Sequence, residues 1–392
     1  MNKIKVFHFH NGSGGGVLSV IKNLLKYSNN LEIENHLVYT INKDLVPGYD
    51  VPVIEGATTV QLFYYSAKWN FYYTCRQLAK LLSDDKAVVV AHDWLELGMM
   101  SNLGLQNPVV QVVHGNYDYY YELAQKHSAA IDQYICISPV IYNKLCAALP
   151  QRTEAIQYCR FPVPFLSPIQ KNNERLKVFY CVRSLNDENK QFRILPLINQ
   201  LLKQIGIKVD WTIIGKGIEE KEVNSLMDQQ EGMDVFADLT NEEVLALLPL
   251  HDLFILPSLK EGFPVAVVEA MKGGLVPLIS DWEGATAALV EEGETGYYFK
   301  TGDAGAYAKR IISLERNRAL LSEISDKCSN VASNLFEPSI NTNLFEAMFI
   351  KAATSNTINK TAQKIYGSRL DQPWLGNTIT NTIRNTFSKS SN

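Results

Sequence analysis

Short runs of β-branched and aromatic residues alternate with stretches of helical periodicity along most of this chain, and they do so in two separate series. The first series reads as strands at Ile4 to His8, His36 to Thr40, Ala87 to Ala91, Val109 to His114 and Gln133 to Ile137. Helical patterns fill the gaps, notably Val17 to Tyr27 and Tyr72 to Leu82. The second runs through Lys177 to Val182, Val209 to Gly215, Asp234 to Phe236, Leu253 to Pro257 and Val276 to Ser280. Strands separated by helix-length crossovers imply parallel pairing, so the expected class is α/β with two Rossmann-like, doubly wound halves.

Length agrees, because 392 residues exceed what one hydrophobic core usually supports. Between the two series, the stretch FPVPFLSP carries three prolines and a polar run follows, which sets the expected boundary near Phe165. The expected division is 1–165, 166–350 and a helical tail, 351–392, that packs back on the first half. After about Ala353 the composition turns to Ser, Thr, Asn and Lys. Within the tail, Asn377 to Phe387 aligns Ile379, Ile383 and Phe387 on one helix face, suited to packing against the first half or to a surface anchor.

The net charge of −4 gives no field to gather nucleic acid. Six cysteines lie scattered with no C-x-x-C pair, which suggests reduced thiols in a cytosol and no zinc site. The first ten residues run straight into a strand pattern without the apolar core of a secretory signal. No run reaches the roughly 18 apolar residues that span a bilayer. A cytoplasmic protein is expected, with peripheral contact at the inner face of a membrane left open and the oligomeric state undetermined.

Gly12, Gly14, Gly15 and Gly16 follow the first strand and open a helix, where backbone N–H groups approach an anion without Cβ atoms in the way. The spacing is not the G-x-G-x-x-G dinucleotide fingerprint, and a tight turn with no ligand is the competing reading. More informative is HDLFILPSLKEGFPVAVVEAMKGGLVPLIS, residues 251–280. A buried strand ends at Pro257, Glu261 and Gly262 occupy a loop, and a helix begins at Pro264 and stops at Gly273 and Gly274. Glu261 therefore stands just outside the carboxyl edge of a sheet, where open α/β sheets bind ligands. Glu269 points from the second helical turn, and a carboxylate there accepts two hydrogen bonds from a ribose diol. The turn Gly262, Phe263, Pro264, Val265 offers free backbone N–H groups to a sugar or phosphate. Two glutamates this far apart otherwise read as solvated helix charges, but the surrounding apolar run argues against that.

The segment from Glu261 to Met271 resembles the E-x7-E motif of retaining GT-B glycosyltransferases, most similar to the family 4 group, also called glycosyl transferases group 1. Its flanks, Asp252 to Ser258, Gly274 to Pro277 and Glu292 to Phe299, are similar to that group too. The resemblance implies two Rossmann-like domains facing across a cleft, the second holding a nucleoside-diphosphate sugar and the first an acceptor. The implied reaction moves a hexose from a UDP- or GDP-sugar to a hydroxyl of a saccharide or lipid-linked acceptor, with retention at the anomeric carbon. No metal and no further cofactor are implied, since no D-x-D stands at a strand end.

Departure of a nucleoside diphosphate builds negative charge on its β-phosphate, which calls for fixed cations. Arg183, at the exit of VFYCVR, and Lys190, in the loop after it, are the candidates. Their spacing is longer than the R-x4-K of similar enzymes, and a pair of ordinary surface charges is the competing reading. Lys216 has no catalytic role in this scheme. Glu261, Arg183, Lys190 and His114 form the expected catalytic set, and Gly15, Gly16, Gly262, Phe263, Pro264, Val265 and Glu269 the donor-binding set. His114 closes a first-half strand, where the resemblance gives it a sugar hydroxyl, and Asp93 is placed on the acceptor. Ser138 reads as a helix cap, and Tyr117, Tyr119, Tyr120 and Tyr121 as packing. A GT-B epimerase or hydrolase and a non-catalytic sugar-nucleotide-binding homologue are the alternatives.

Overall fold

The alternation resolves into two parallel sheets in a computed structural model that describes residues 3–389, apart from 14, 47–52, 83, 172–173, 218–219, 228–231, 238, 283–285 and 356–358. The strands are β1 (Ile4–His10), β2 (Ile33–Asn42), β3 (Thr59–Tyr65), β4 (Val88–Ala91), β5 (Val109–Val113), β6 (Gln133–Cys136), β7 (Ile156–Tyr158), β8 (Lys177–Ser184), β9 (Asp210–Lys216), β10 (Met233–Phe236), β11 (Leu253–Leu256), β12 (Val276–Ser280) and β13 (Tyr297–Phe299). The helices are α1 (Gly16–Lys26), α2 (Phe71–Ala79), α3 (Trp94–Leu103), α4 (Asp118–Lys126), α5 (Pro139–Ala148), α6 (Ile194–Gln204), α7 (Glu220–Leu226), α8 (Asn241–Leu247), α9 (Val265–Lys272), α10 (Ala304–Arg316), α11 (Arg318–Leu335), α12 (Pro338–Thr354) and α13 (Asn377–Lys389).

The chain forms two compact units, Met1–Pro162 with Ser339–Asn392, and Val163–Pro338. The second crossing thus falls at the first residue of α12, between Pro338 and Ser339, rather than at residue 350. In the first unit the strand order is β3-β2-β1-β4-β5-β6-β7, and in the second β10-β9-β8-β11-β12-β13. All pairings are parallel. Each sheet winds outward in both directions from its first strand. That order creates a topological switch point between β1 and β4 in one unit and between β8 and β11 in the other, the places where such sheets open a ligand crevice.

Central strands are apolar on both faces because helices cover both. Val88, Val89 and Val90 in β4 and Phe254 and Ile255 in β11 are fully buried. In the second unit Trp211 of β9 is buried and donates its indole N–H to Asn199 of α6 at 3.2 Å, so the ring packs with no unmet donor.

The tail residues lie on the first unit. Lys360 places its ammonium 2.6 Å from Asp132 and 2.6 Å from the carbonyl of Asn107, almost wholly buried. The side-chain amide of Asn70 donates to the carbonyls of Gln372 and Leu375 at 3.1 and 2.9 Å, and Asp371 accepts the backbone N–H of Phe71 at 2.6 Å. Gly104 ends α3 with φ of 63°, and a Cβ there would sit 2.5 Å from the backbone N of Ala362. Glycine is required both for the left-handed cap and for the passage of the tail. On α13, Thr380 is buried, whereas Ile379 and Phe387 are exposed.

Candidate active site

In the second unit the loops after β8 and β11 meet at the switch point because the two strands are neighbours. The β8 loop tightens into a short 3-10 turn, Glu188–Lys190, and Asn189 on that turn fastens it to the β11 loop. Its side chain accepts from the Lys260 N–H and donates to the Lys260 carbonyl, both at 3.0 Å, while its own carbonyl accepts from Leu259 at 2.8 Å. These bonds fix the approach of Lys190 to Glu261, whose Nζ and Oε1 are 2.6 Å apart. Gln191 follows with φ of 52°, a left-handed conformation that costs energy for a side chain with a Cβ and that the clamp sustains. Arg183 lies exposed at the exit of β8, where the register against β9 shifts between Cys181 and Ser184. Such an irregularity re-aims side chains at a strand end.

Helix α9 starts one residue later than expected, with Pro264 as its N-cap and no side chain capping its first turn. The Val267 N–H bonds the Pro264 carbonyl at 3.2 Å, which leaves the N–H groups of Val265 and Ala266 as the donors without an intrahelical partner. Phe263 packs its ring on Phe336 at 5.9 Å, which fixes the turn. Glu269 is buried in the second turn, and its Oε1 has no hydrogen-bond partner among the described residues. Burial raises its carboxyl to about 7, with the Lys272 cation opposing the shift. A buried, unmatched carboxylate oxygen costs free energy that a protein does not retain without a use, and a pair of donating hydroxyls would relieve it. Ser258, just before this loop, also carries a buried hydroxyl without a partner among the described residues.

In the first unit the expected residues gather around the carboxyl ends of β1, β4 and β5. Gly15 is the N-cap of α1 at φ of 116°, with open space where a Cβ would stand, and Gly16 is the first helical residue. Gly14 lies outside the described residues. His114 is buried and its Nε2 is 2.7 Å from Nδ1 of His92. Burial, with His10 nearby, lowers its imidazole to about 3, so it is neutral. Asp93 caps α3 in a capping box with Glu96, accepts from Trp94 at 2.9 Å and Asn11 at 3.1 Å, and also accepts from the Tyr119 hydroxyl. Its two oxygens are engaged, so it holds Asn11 and Tyr119 in place. Ser138 caps α5, its Oγ accepting from Ile141 at 3.2 Å.

Residues 163–334 match the glycosyl transferases group 1 family, a span that contains Arg183, Lys190, Glu261 and Glu269. Within the chain, 129 residues are 33% identical to the amylovoran biosynthesis glycosyltransferase AmsK of Erwinia amylovora, covering 31% of each protein. A further 28% identity over 165 residues relates it to the N,N'-diacetylbacillosaminyl-diphospho-undecaprenol alpha-1,3-N-acetylgalactosaminyltransferase of Campylobacter jejuni, covering 39% of this chain and 42% of that one. The aligned stretches therefore span less than half of these relatives. The whole fold is similar to Anabaena Alr3699/HepE, solved with UDP and glucose, at a TM-score of 0.70 and 15% identity over 89% of this chain and all of that one. Pneumococcal O-GlcNAc transferase GtfA, solved with UDP and GlcNAc, gives 0.69 at 10% identity over 91% of this chain and 100% of that one. The fold is GT-B, as the sequence resemblance implies.

Several residues of the two units carry no signal in the sequence. Asn189 looks like any polar loop residue, yet it joins the two loops that hold Lys190 and Glu261. Lys272, the last residue of α9, is buried, donating to the carbonyls of Val163, Pro164 and Phe336 at 2.7, 3.2 and 2.9 Å. A cavity of about 310 Å³ opens in the first unit between the ends of β2 and β3 and the tail, lined by Tyr65, Trp69, Trp94, Tyr366, Asp371 and Arg384. The tail composition carries no signal for it. Among the described residues no cluster of His, Cys, Asp and Glu could hold a metal ion, and no helix is long and apolar enough to cross a membrane.

Proposed function

We propose that this protein is a retaining, metal-independent hexosyltransferase that uses a UDP- or GDP-sugar donor and glycosylates a saccharide or lipid-linked acceptor in cell-surface polysaccharide or glycoconjugate synthesis. The observation that carries the reading is the unmatched, buried carboxylate oxygen of Glu269, on the same sheet edge as the Lys190–Glu261 pair. Glu269 receives the ribose diol, while the free N–H groups opening α9 and the cations Arg183 and Lys190 receive the diphosphate. Lys190 is preset by Glu261 and needs little reorganisation when charge develops on the leaving group. Gly262, Phe263, Pro264 and Val265 form the backbone wall of this donor site, and Gly15 and Gly16 of the first unit are assigned to donor binding as well.

In the reaction the bond between the anomeric carbon and the β-phosphate oxygen breaks, and the acceptor oxygen bonds that carbon on the same face. The acceptor proton passes to the departing phosphate. No pair of carboxylates at glycosidase spacing is invoked for a covalent intermediate. His114 accepts from a hydroxyl of the transferred sugar, and Asp93 serves the acceptor side through the groups it orients. The lipid-linked acceptor is supported by the relative from C. jejuni, whose name specifies a diphospho-undecaprenol. A cytoplasmic enzyme peripheral to the inner face of the membrane fits such an acceptor.

The test is incubation with a panel of UDP- and GDP-hexoses, with and without polyprenyl-diphosphate saccharides, with and without EDTA. Acceptor-dependent release of nucleoside diphosphate that EDTA leaves intact, with product and donor sharing anomeric configuration, is the expected result. Release without acceptor would instead identify a hydrolase or epimerase, and an inverted product would remove the retaining assignment.

A further inference from the structure

The strands β1, β4 and β5 are consecutive neighbours in the first sheet; His8 lies in the last half of β1, and His92 and His114 directly follow β4 and β5. His8 Nδ1 lies 3.3 Å from His92 Nε2, and His92 Nδ1 lies 2.7 Å from His114 Nε2. All three rings are buried. Burial lowers His8 to about 4 and His114 to about 3, and carries His92 well down as well, with neighbouring histidines adding to the effect on the last two. The rings are therefore neutral at pH 7, and each has one N–H and one lone pair.

Three neutral imidazoles bonded in a row have only two consistent arrangements. Either every ring donates towards His8, or every ring donates towards His114. The choice is made at the far end, where the side chain of Asn35 faces His8 and favours its protonated form. With Nδ1 turned to His92, Nε2 is the nitrogen that meets Asn35. The amide nitrogen of Asn35 is 2.9 Å from Ser28 Oγ, and Ser28 Oγ is 2.5 Å from Oε1 of Glu346 on α12. A carboxylate only accepts, so the Ser28 hydroxyl hydrogen points to Glu346 and Ser28 accepts from the Asn35 amide. That fixes Asn35 with its oxygen towards His8.

We infer that Glu346, through Ser28 and Asn35, sets the tautomers of His8, His92 and His114 so that each carries its proton on Nε2 and His114 presents a bare Nδ1 lone pair. His114 is then a pure acceptor, without a protein partner for that nitrogen among the described residues. A site of this kind takes a ligand hydroxyl and refuses a group that can only accept. Resting on the proposed transferase reading, that hydroxyl belongs to the transferred sugar. Glu346, Ser28, Asn35, His8 and His92 are positioning residues, acting through His114.

The experiment is nitrogen NMR of the full chain with 15N-labelled histidine, without any substrate, with the His114 signals assigned by their loss in His114→Gln. The expected result is a protonated Nε2 and an unprotonated Nδ1 on His114. Protonation on Nδ1, or a charged ring at pH 7.5, would overturn the inference. In Glu346→Gln the terminal amide can donate, both arrangements become open, and a protonated Nδ1 population appears. At equal populations the competent fraction is half, so kcat/KM falls about twofold while the fold is retained. An unchanged tautomer in that variant would remove Glu346 from its assigned role. If the variant does not fold, the wild-type spectrum alone still decides. The expected tautomer in a protein that transfers no sugar would count against the transferase reading and not against this one.

Discussion

Glu269 offers a quantitative handle on the donor site. Its carboxyl is buried and raised to about 7, first by desolvation and with Lys272 opposing. Because the folded value lies above the unfolded one, the native state binds the extra proton between roughly pH 4.5 and 7, and stability declines as pH rises through that window. At about 1.4 kcal/mol per unit the full effect is about 3 kcal/mol. Ribose hydroxyls donate to the ionised form and return the bound carboxylate towards its ordinary range. Nucleotide affinity should then rise about tenfold between pH 6 and pH 8, with release of about one proton on binding at pH 6. Glu269→Gln keeps an acceptor but cannot titrate, so it should bind about 1 to 3 kcal/mol more weakly at pH 8 and lose this slope. Calorimetry with UDP and GDP, in buffers of different ionisation enthalpy, measures both quantities, and the variant corrects for titration of the nucleotide phosphate. Equal pH slopes and equal proton release in wild type and variant would refute the reasoning.

Three further outcomes follow from other contacts. Lys190→Gln removes the cation held 2.6 Å from Glu261, and kcat should drop by about 100-fold or more while thermal unfolding shifts little, since a part-exposed pair contributes about 1 kcal/mol or less. Lys272→Met leaves three carbonyls without their shared donor, and urea unfolding should show a loss of about 2 to 4 kcal/mol. Lys360→Met strands the Asp132 carboxylate in the first unit and should cost about 3 to 5 kcal/mol by the same measurement, which also tests the anchoring of the tail.

The strands that the sequence pattern revealed are those buried on both faces, such as β4 and β11, where apolar runs are unbroken. Those it did not reveal as strands, β3, β7 and β13, are all edge strands, two of them only three residues long. Partial burial permits Gln61 and half-buried tyrosines there, so the periodic signal is weak. At the site, Glu261 and Glu269 were legible because their spacing is written within one loop and helix. Asn189, Lys272 and the bonding of His114 to His92 and His8 were not, because each contact joins residues far apart in the chain. Asp93 shows the opposite effect. Its place after a strand drew attention to it, and the structure spends its carboxylate on capping α3.

Soaking crystals with UDP or GDP tests the central claim most directly. The account requires the ribose hydroxyls on Glu269 and the diphosphate beside Arg183, Lys190 and the start of α9. A nucleotide bound elsewhere, or a Glu269 pocket that stays closed to it, would contradict the account.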